Sequence, residues 1–194
     1  MKLFLSTILI FSFLIGGELE LGSEIPLADI KMLDISGQEL SLNDIKGENG
    51  LLVIFSCNTC PWVIRWQDRY VEIANEYKDK GVGIVAINSN EAYRANDDSF
   101  EAMKEHALNN GYNFYYTVDK ESKLALEFGA TRTPHVFLFN GEEKLVFRGA
   151  IDDDAKNADN VEDHYLKDAL NAMLAGNEIK LASTKALGCS IKFE

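Results

Sequence analysis

Two cysteines two residues apart, in Cys57-Asn58-Thr59-Cys60, are the part of this chain best suited to chemistry. Thiols at that spacing can cycle between dithiol and disulfide, supply half of a metal site, or form a permanent staple. Their surroundings separate these uses. Leu51-Leu-Val-Ile-Phe55 is an unbroken apolar run of strand length, the pattern of a strand covered on both faces. After Pro61, the residues Val63, Trp66, Tyr70, Ile73 and Tyr77 recur at steps of three and four, the apolar stripe of an amphipathic helix. The pair therefore lies where a strand turns into a helix. Unpaired N–H groups and the helix dipole favour negative charge there, so Cys57 is expected to be an exposed nucleophile, acidified below the free thiol value of ~8.5. Cys60, one turn in, is expected to be the buried, less acidic resolving thiol. Pro61 suits a first helical turn, whose N–H groups have no intrahelical partner. The arrangement points to thiol–disulfide exchange.

The elements that hold the pair can be followed along the chain. Short apolar pairs between Ile25 and Leu42, with a turn at Ser36-Gly37, predict a β-hairpin ahead of the first core strand. Lys80-Gly81 ends the helix after the cysteines, and Val82 to Ile87 supplies a second buried strand, completing a βαβ unit. Phe100, Met103, Ala107 and Leu108 predict a helix closed by Asn110-Gly111. Phe114–Val118 reads as a strand, and Ser122–Phe128 as a short helix stopped by Gly129. His135–Phe139 and Lys144–Arg148 flank the hairpin signal Asn140-Gly141, and Tyr165–Leu174 forms a last amphipathic helix. The order is β-α-β-α-β-α-β-β-α, an α/β fold with a mixed sheet covered on both faces.

Composition narrows the function further. Nineteen Lys and Arg against 31 Asp and Glu leave a formal charge of -12, which disfavours phosphate backbones and anionic lipid surfaces, so no nucleic-acid partner is expected. Three cysteines and three prolines exclude a disulfide-dense miniprotein and a proline-rich linker. Met1–Gly17 carries one Lys and an apolar run from Leu3 to Ile15, about 20 Å as a helix and short of the ~30 Å hydrocarbon core. It reads as a secretory signal segment, giving three parts: residues 1–22 as signal, 23–176 as the domain, and 177–194 as a tail with Cys189. The expectation is an exported protein, periplasmic or extracellular, with no membrane span once processed. The sequence sets no oligomeric state.

Several further segments carry a resemblance. Phe55-Ser-Cys-Asn-Thr-Cys-Pro61, Ala86-Ile-Asn-Ser-Asn90, Asp98-Ser-Phe-Glu-Ala-Met103, Thr133-Pro134, Arg148-Gly-Ala-Ile-Asp-Asp153 and Gly188-Cys-Ser-Ile-Lys192 follow one another in order. The series resembles thioredoxin-fold redoxins of the alkyl hydroperoxide reductase/thiol-specific antioxidant type, in particular a peroxiredoxin-like group with a C-N-x-C-P motif. The resemblance implies a thioredoxin fold with a redox-active disulfide at Cys57 and Cys60. It also implies a cis Thr133-Pro134 peptide against the pair, with the backbone of Thr133 pairing with the substrate chain. The partner would be a thiol or disulfide protein, with an upstream thiol reductant and no cofactor or metal. Two departures bear on the chemistry. Peroxiredoxins have Thr and Pro three and seven residues before the reactive cysteine, where this chain has Ile54 and Gly50, which weakens a peroxide-reducing alternative. Many thioredoxins have Asp six residues before the first cysteine, where this chain has Leu51. Asn58-Thr59 lacks the positive side chain of strongly oxidising relatives, so the expected potential is reducing to intermediate.

The remaining candidates are less sharply defined. Trp62 could give a substrate disulfide an apolar platform, or simply pack at the rim. Cys189 could reach Cys57 as a relay thiol, or lie against the domain beside Ile191 and Phe193. Cys57, Cys60 and His135 could together bind a soft ion such as Cu(I) in a metal-delivery role, although the spacing of copper-assembly relatives is absent. His106 and His164 complete the histidines. Asp152-Asp-Asp154 with Asp159, Glu162 and Asp163 lacks calcium-loop spacing and reads as a solvated acidic loop.

Overall fold

The computed structural model describes residues 17–194, so most of the expected signal segment lies outside the described residues. The chain runs β1 (Met32–Asp34), β2 (Glu39–Leu40), α1 (Leu42–Ile45), β3 (Gly50–Ser56), α2 (Pro61–Tyr77), β4 (Val82–Asn88) and α3 (Phe100–Asn109). It continues β5 (Tyr115–Val118), α4 (Lys123–Phe128), β6 (Arg132–Thr133), β7 (His135–Asn140), β8 (Leu145–Gly149), α5 (Tyr165–Leu174) and β9 (Cys189–Ser190). Seven strands form one sheet in the order β2-β1-β5-β4-β3-β7-β8, and β6 pairs with β9 in a separate ribbon. β3–β4 and β4–β5 are parallel, whereas β3–β7 and β7–β8 are antiparallel. This is the mixed, helix-covered sheet of the thioredoxin fold, with the predicted hairpin as β1 and β2.

β3 is buried along its whole length because its two side-chain sets enter different cores. Leu52 and Ile54 join Val136 and Leu138 beneath α2 and α5, meeting Val63, Trp66, Tyr70, Leu166 and Leu170. Leu51, Val53 and Phe55 face the other way, toward Leu42, Leu124, Phe137 and Phe139. Phe55, Phe128 and Phe137 meet edge to face with centroids 5.2–5.7 Å apart, backing the end of β3 nearest the cysteines.

Details beyond the strand-and-helix pattern differ from expectation. Met103 and Ala107 bury the inner face of α3, but Leu108 is exposed on its outer side. In the β7–β8 hairpin the left-handed residue is Glu143, not Gly141. Asn140 supports that turn, its side-chain oxygen accepting from the N–H groups of Glu142 and Lys144. Asp152 is no solvated charge: it is buried, accepts from Trp66 Nε1 at 2.7 Å, and pairs with Arg69 Nε at 3.2 Å. Its neighbours Asp153 and Asp154 accept from the backbone N–H groups of Glu162, Lys156 and Asn157, so the acidic stretch organises its own loop.

Both ends of the described chain are fastened to the domain. The Leu19 N–H donates to Phe128 O at 3.0 Å, and Glu18 bonds His135 and Arg148. Residues 177–194 have little regular secondary structure but pack on the domain. Thr184 Oγ1 accepts from the Ala150 N–H, Ile191 is buried in the core under α4, and Phe193 packs against that core. Among the described residues no helix is long and apolar enough to cross a membrane.

Candidate active site

Ser56, the last residue of β3, lies level with Asn88 at the end of β4, so the connection to α2 leaves from the carboxyl end of two parallel strands. Cys60 is the N-cap of α2, with extended backbone, and Pro61 opens the helix. Its carbonyl accepts from the Ile64 N–H at 3.0 Å, closing the first turn.

A buried polar clamp holds this connection. Asp98 is 0% exposed; its Oδ1 accepts from the Asn58 N–H at 2.9 Å and from Asn88 Nδ2 at 2.7 Å. Its Oδ2 accepts from Asn90 Nδ2 at 2.9 Å. Asn58 Nδ2 donates to Asp97 O, and Tyr116 OH donates to Asn58 Oδ1 at 2.8 Å. Arg94 donates to the carbonyls of Asn88 and Asp98, both at 2.7 Å. A buried carboxylate is tolerable only with donors on both oxygens, and here three point at it. Sequence reasoning assigned no role to these residues. The available signal was a set of polar side chains, Asn88, Asn90 and Asp98, directly after a strand buried on both faces.

The two sulfurs lie side by side against Thr133. Cys57 Sγ is 3.3 Å from Thr133 Oγ1, and Cys60 Sγ is 3.0 Å from Thr133 O. The Thr133-Pro134 peptide is cis, as the resemblance implied. The expected exposure of Cys57 is not found: Cys57 is 2% exposed and Cys60 4%, while Thr59 and Pro61 take the surface. The expected acidity is also redistributed. The hydrogen bond to Cys60 holds the Cys57 thiol above its ordinary range, with burial and the Asp98 charge adding to the effect. The Cys60 thiol is lowered, chiefly as acceptor of the Cys57 S–H and also by the Val63 N–H of the first turn. The helix N-terminus converges on the residue that caps it, and that residue is Cys60.

Thr133 meets both sulfurs: its carbonyl accepts from the Cys60 S–H, and its hydroxyl can donate to a Cys57 thiolate.

Cys189 joins this group but not at the expected place. It stands opposite Thr133 in the β6–β9 ribbon and packs against the core that holds the pair, with Cys60 rather than Cys57 the sulfur that acts on it. Burial first, then Cys60, pushes its thiol up to about 11. Trp62 is half-buried, 5.8 Å from Trp66 between ring centroids, with the Arg65 guanidinium over it.

His135 is elsewhere. Val136 and Leu138 share the cysteine-side core, so His135 shares the opposite face with Phe137, whose ring centroid is 4.4 Å away. Its Nε2 lies 2.7 Å from Glu18 Oε1, and this contact is the main reason the Glu18 carboxyl is lowered. The Cys57–Cys60–His135 metal set is therefore not assembled. Among the described residues no group of three or more His, Cys, Asp or Glu is placed to hold a metal ion.

Comparison with known proteins agrees with this geometry. The Redoxin family model matches residues 20–164. A protein named thiol-disulfide oxidoreductase ResA from Bacillus thuringiensis is 26% identical over 131 residues, covering 66% of this chain and 69% of that protein. An uncharacterised conserved protein of Geobacillus kaustophilus has a solved structure with a TM-score of 0.83 at 35% identity, covering 90% of this chain and 93% of that one. The thioredoxin domain of a thiol-disulfide oxidoreductase from Bacteroides vulgatus aligns with a TM-score of 0.57 at 26% identity, covering 69% and 90%. The match begins just after the fastened Glu18 and Leu19 and includes the cysteine junction, and the chain belongs to the Redoxin family as a thioredoxin-fold oxidoreductase.

Proposed function

We propose that the chain is an exported thiol–disulfide oxidoreductase acting on a protein partner. The observation that carries the reading is the pair of adjacent sulfurs served by both polar groups of one residue, Thr133. Loss of the Cys57 proton to solvent gives a thiolate to which the Thr133 hydroxyl donates, while the Cys60 thiol donates to Thr133 O. Cys57 then attacks a partner disulfide, forming a mixed disulfide and releasing one partner thiolate. Cys60, having lost its proton, attacks Cys57 Sγ, so the second partner sulfur leaves and the pair is left oxidised. An upstream dithiol reductant restores it. These steps use no cofactor or metal. Trp62, Thr133 and Pro134 line the approach, and a docked partner strand would take the backbone edge of Thr133.

Export to the periplasm or the extracellular space completes the reading. The bonds of Glu18 and Leu19 to the domain support processing ahead of residue 18 rather than at 22.

The test is reduction of insulin disulfides with dithiothreitol as electron source. Turnover is expected in the wild type and lost in Cys57→Ser. Cys60→Ser should accumulate the mixed disulfide. A parallel hydrogen peroxide assay should show much slower consumption. Wild-type turnover retained in Cys57→Ser would overturn the reading.

A further inference from the structure

The backbone edge that a partner would use is already held by this chain. Cys189 faces Thr133 and Ser190 faces Arg132 in antiparallel register, and the Ile191 N–H donates to Thr131 O at 3.0 Å. Gly188 makes this fit possible: a Cβ on it would lie 2.2 Å from Thr133 O and 3.1 Å from Pro134 N. Beyond the ribbon, Ile191 is buried in the core, the Lys192 N–H donates to Asn90 Oδ1 at 2.9 Å, and Lys192 O accepts from the Ala92 N–H. Asn90 is also a donor to Asp98, which holds Asn58 between the two cysteines. The segment is therefore seated on both sides of the site, and it carries a sulfur at the residue level with Thr133.

We propose that Cys189 is a third redox thiol, delivered to Cys60 by the β6–β9 ribbon in the position a partner's cysteine would occupy. This deepens the preceding reading and rests on it for the origin of the oxidised pair. In the oxidised protein Cys189 loses its proton and attacks Cys60 Sγ. The Cys57–Cys60 bond breaks, a Cys60–Cys189 bond forms, and Cys57 leaves as a thiolate that takes up the proton. No electrons enter or leave the chain in this step. The oxidation is moved to the segment, and Cys57 becomes a thiol again. A partner strand can take the edge of Thr133 only after residues 188–190 have left it.

The site of the free thiol tests this. Purified full-length protein is equilibrated with glutathione disulfide, acid-quenched, alkylated under denaturing conditions, and mapped by peptide mass spectrometry. The expected result is a Cys60–Cys189 cross-linked peptide with the alkyl group on Cys57, and the same cross-link in Cys57→Ser. Gly188→Ala, which pushes the ribbon apart without removing a sulfur, should lower the cross-linked fraction about tenfold by loss of effective concentration. Alkylation confined to Cys189 in the wild type, together with no cross-link in Cys57→Ser, would overturn the proposal. So would an undiminished cross-link in Gly188→Ala. Insulin reduction measured in parallel keeps the two readings apart: turnover in the wild type that is lost in Cys57→Ser supports the Cys57–Cys60 pair whatever the cross-link shows.

Discussion

Replacing Asp98 by asparagine isolates what the buried clamp does, because the two side chains have the same shape and differ in charge and in one acceptor. The carboxylate serves two donors on Oδ1 and one on Oδ2. In Asp98→Asn the new amide can keep its oxygen toward Asn58 N and Asn88 Nδ2, and its NH2 then faces the NH2 of Asn90. Asn90 cannot turn its amide over without losing the bond from the Lys192 N–H. One bond to a charged acceptor is lost, ~1.5–3 kcal/mol, and the two retained bonds become neutral and weaker. Relief from burying a charge offsets part of this. The net expectation is a loss of about 2 kcal/mol of stability, or roughly 1 M in the urea midpoint at unchanged slope. The same change removes the negative charge that helps raise the Cys57 thiol, so the pH profile of Cys57 alkylation should move to lower pH. A stability within ~0.5 kcal/mol of wild type, the range of ordinary surface substitutions, would refute the clamp. A Cys57 profile moved upward would refute the electrostatic argument.

Three further perturbations separate other parts of the structure. Arg69→Met leaves the buried Asp152 carboxylate without its cation and should cost about 3–5 kcal/mol at neutral pH by urea denaturation; burial already raises Asp152, so the deficit should shrink in acid as that carboxyl is protonated. Thr133→Val removes the hydroxyl 3.3 Å from Cys57 Sγ, which lowers that thiol, so Cys57 alkylation should slow at fixed pH while the sheet signal in circular dichroism is unchanged. His106 is held below its usual 6.5 by burial, so the unfolded chain takes up that proton first as pH falls. Its contribution is therefore complete above ~6.5 and lost below it, and His106→Asn should flatten the stability–pH curve on that acid side.

The fold was legible because each core element carries its own period. The unbroken run of β3, the three-and-four stripe of α2 and the glycines after the helices are local signals, and they coincide with the observed elements. The cysteine junction followed from the order of strand and helix alone. What was not legible depends on contacts between distant segments. The clamp joins Asn58 to Asp98 and Tyr116, which no spacing rule connects. The β6–β9 ribbon pairs two-residue strands more than fifty positions apart, too short to show alternation. His135 was weighed as a third ligand beside the two cysteines in the alternative metal reading, yet strand alternation turns its ring to the opposite face. The acidity of the pair was assigned to Cys57 from the helix dipole, but the contact with Cys60, burial and the Asp98 charge all push that thiol the other way.

The fastening of Glu18 and Leu19 has a consequence for how this protein can be handled and attached. These residues lie on the α4 side of the sheet, opposite α2 and the sulfurs, with Gly17 close against Gly129. Because His135 is level with Phe55, the junction is at the same end of the sheet as the cysteines but on its reverse. A carrier, surface linker or fluorescent label joined ahead of Gly17 would hold the molecule by its back and leave the α2 face turned outward toward whatever it meets.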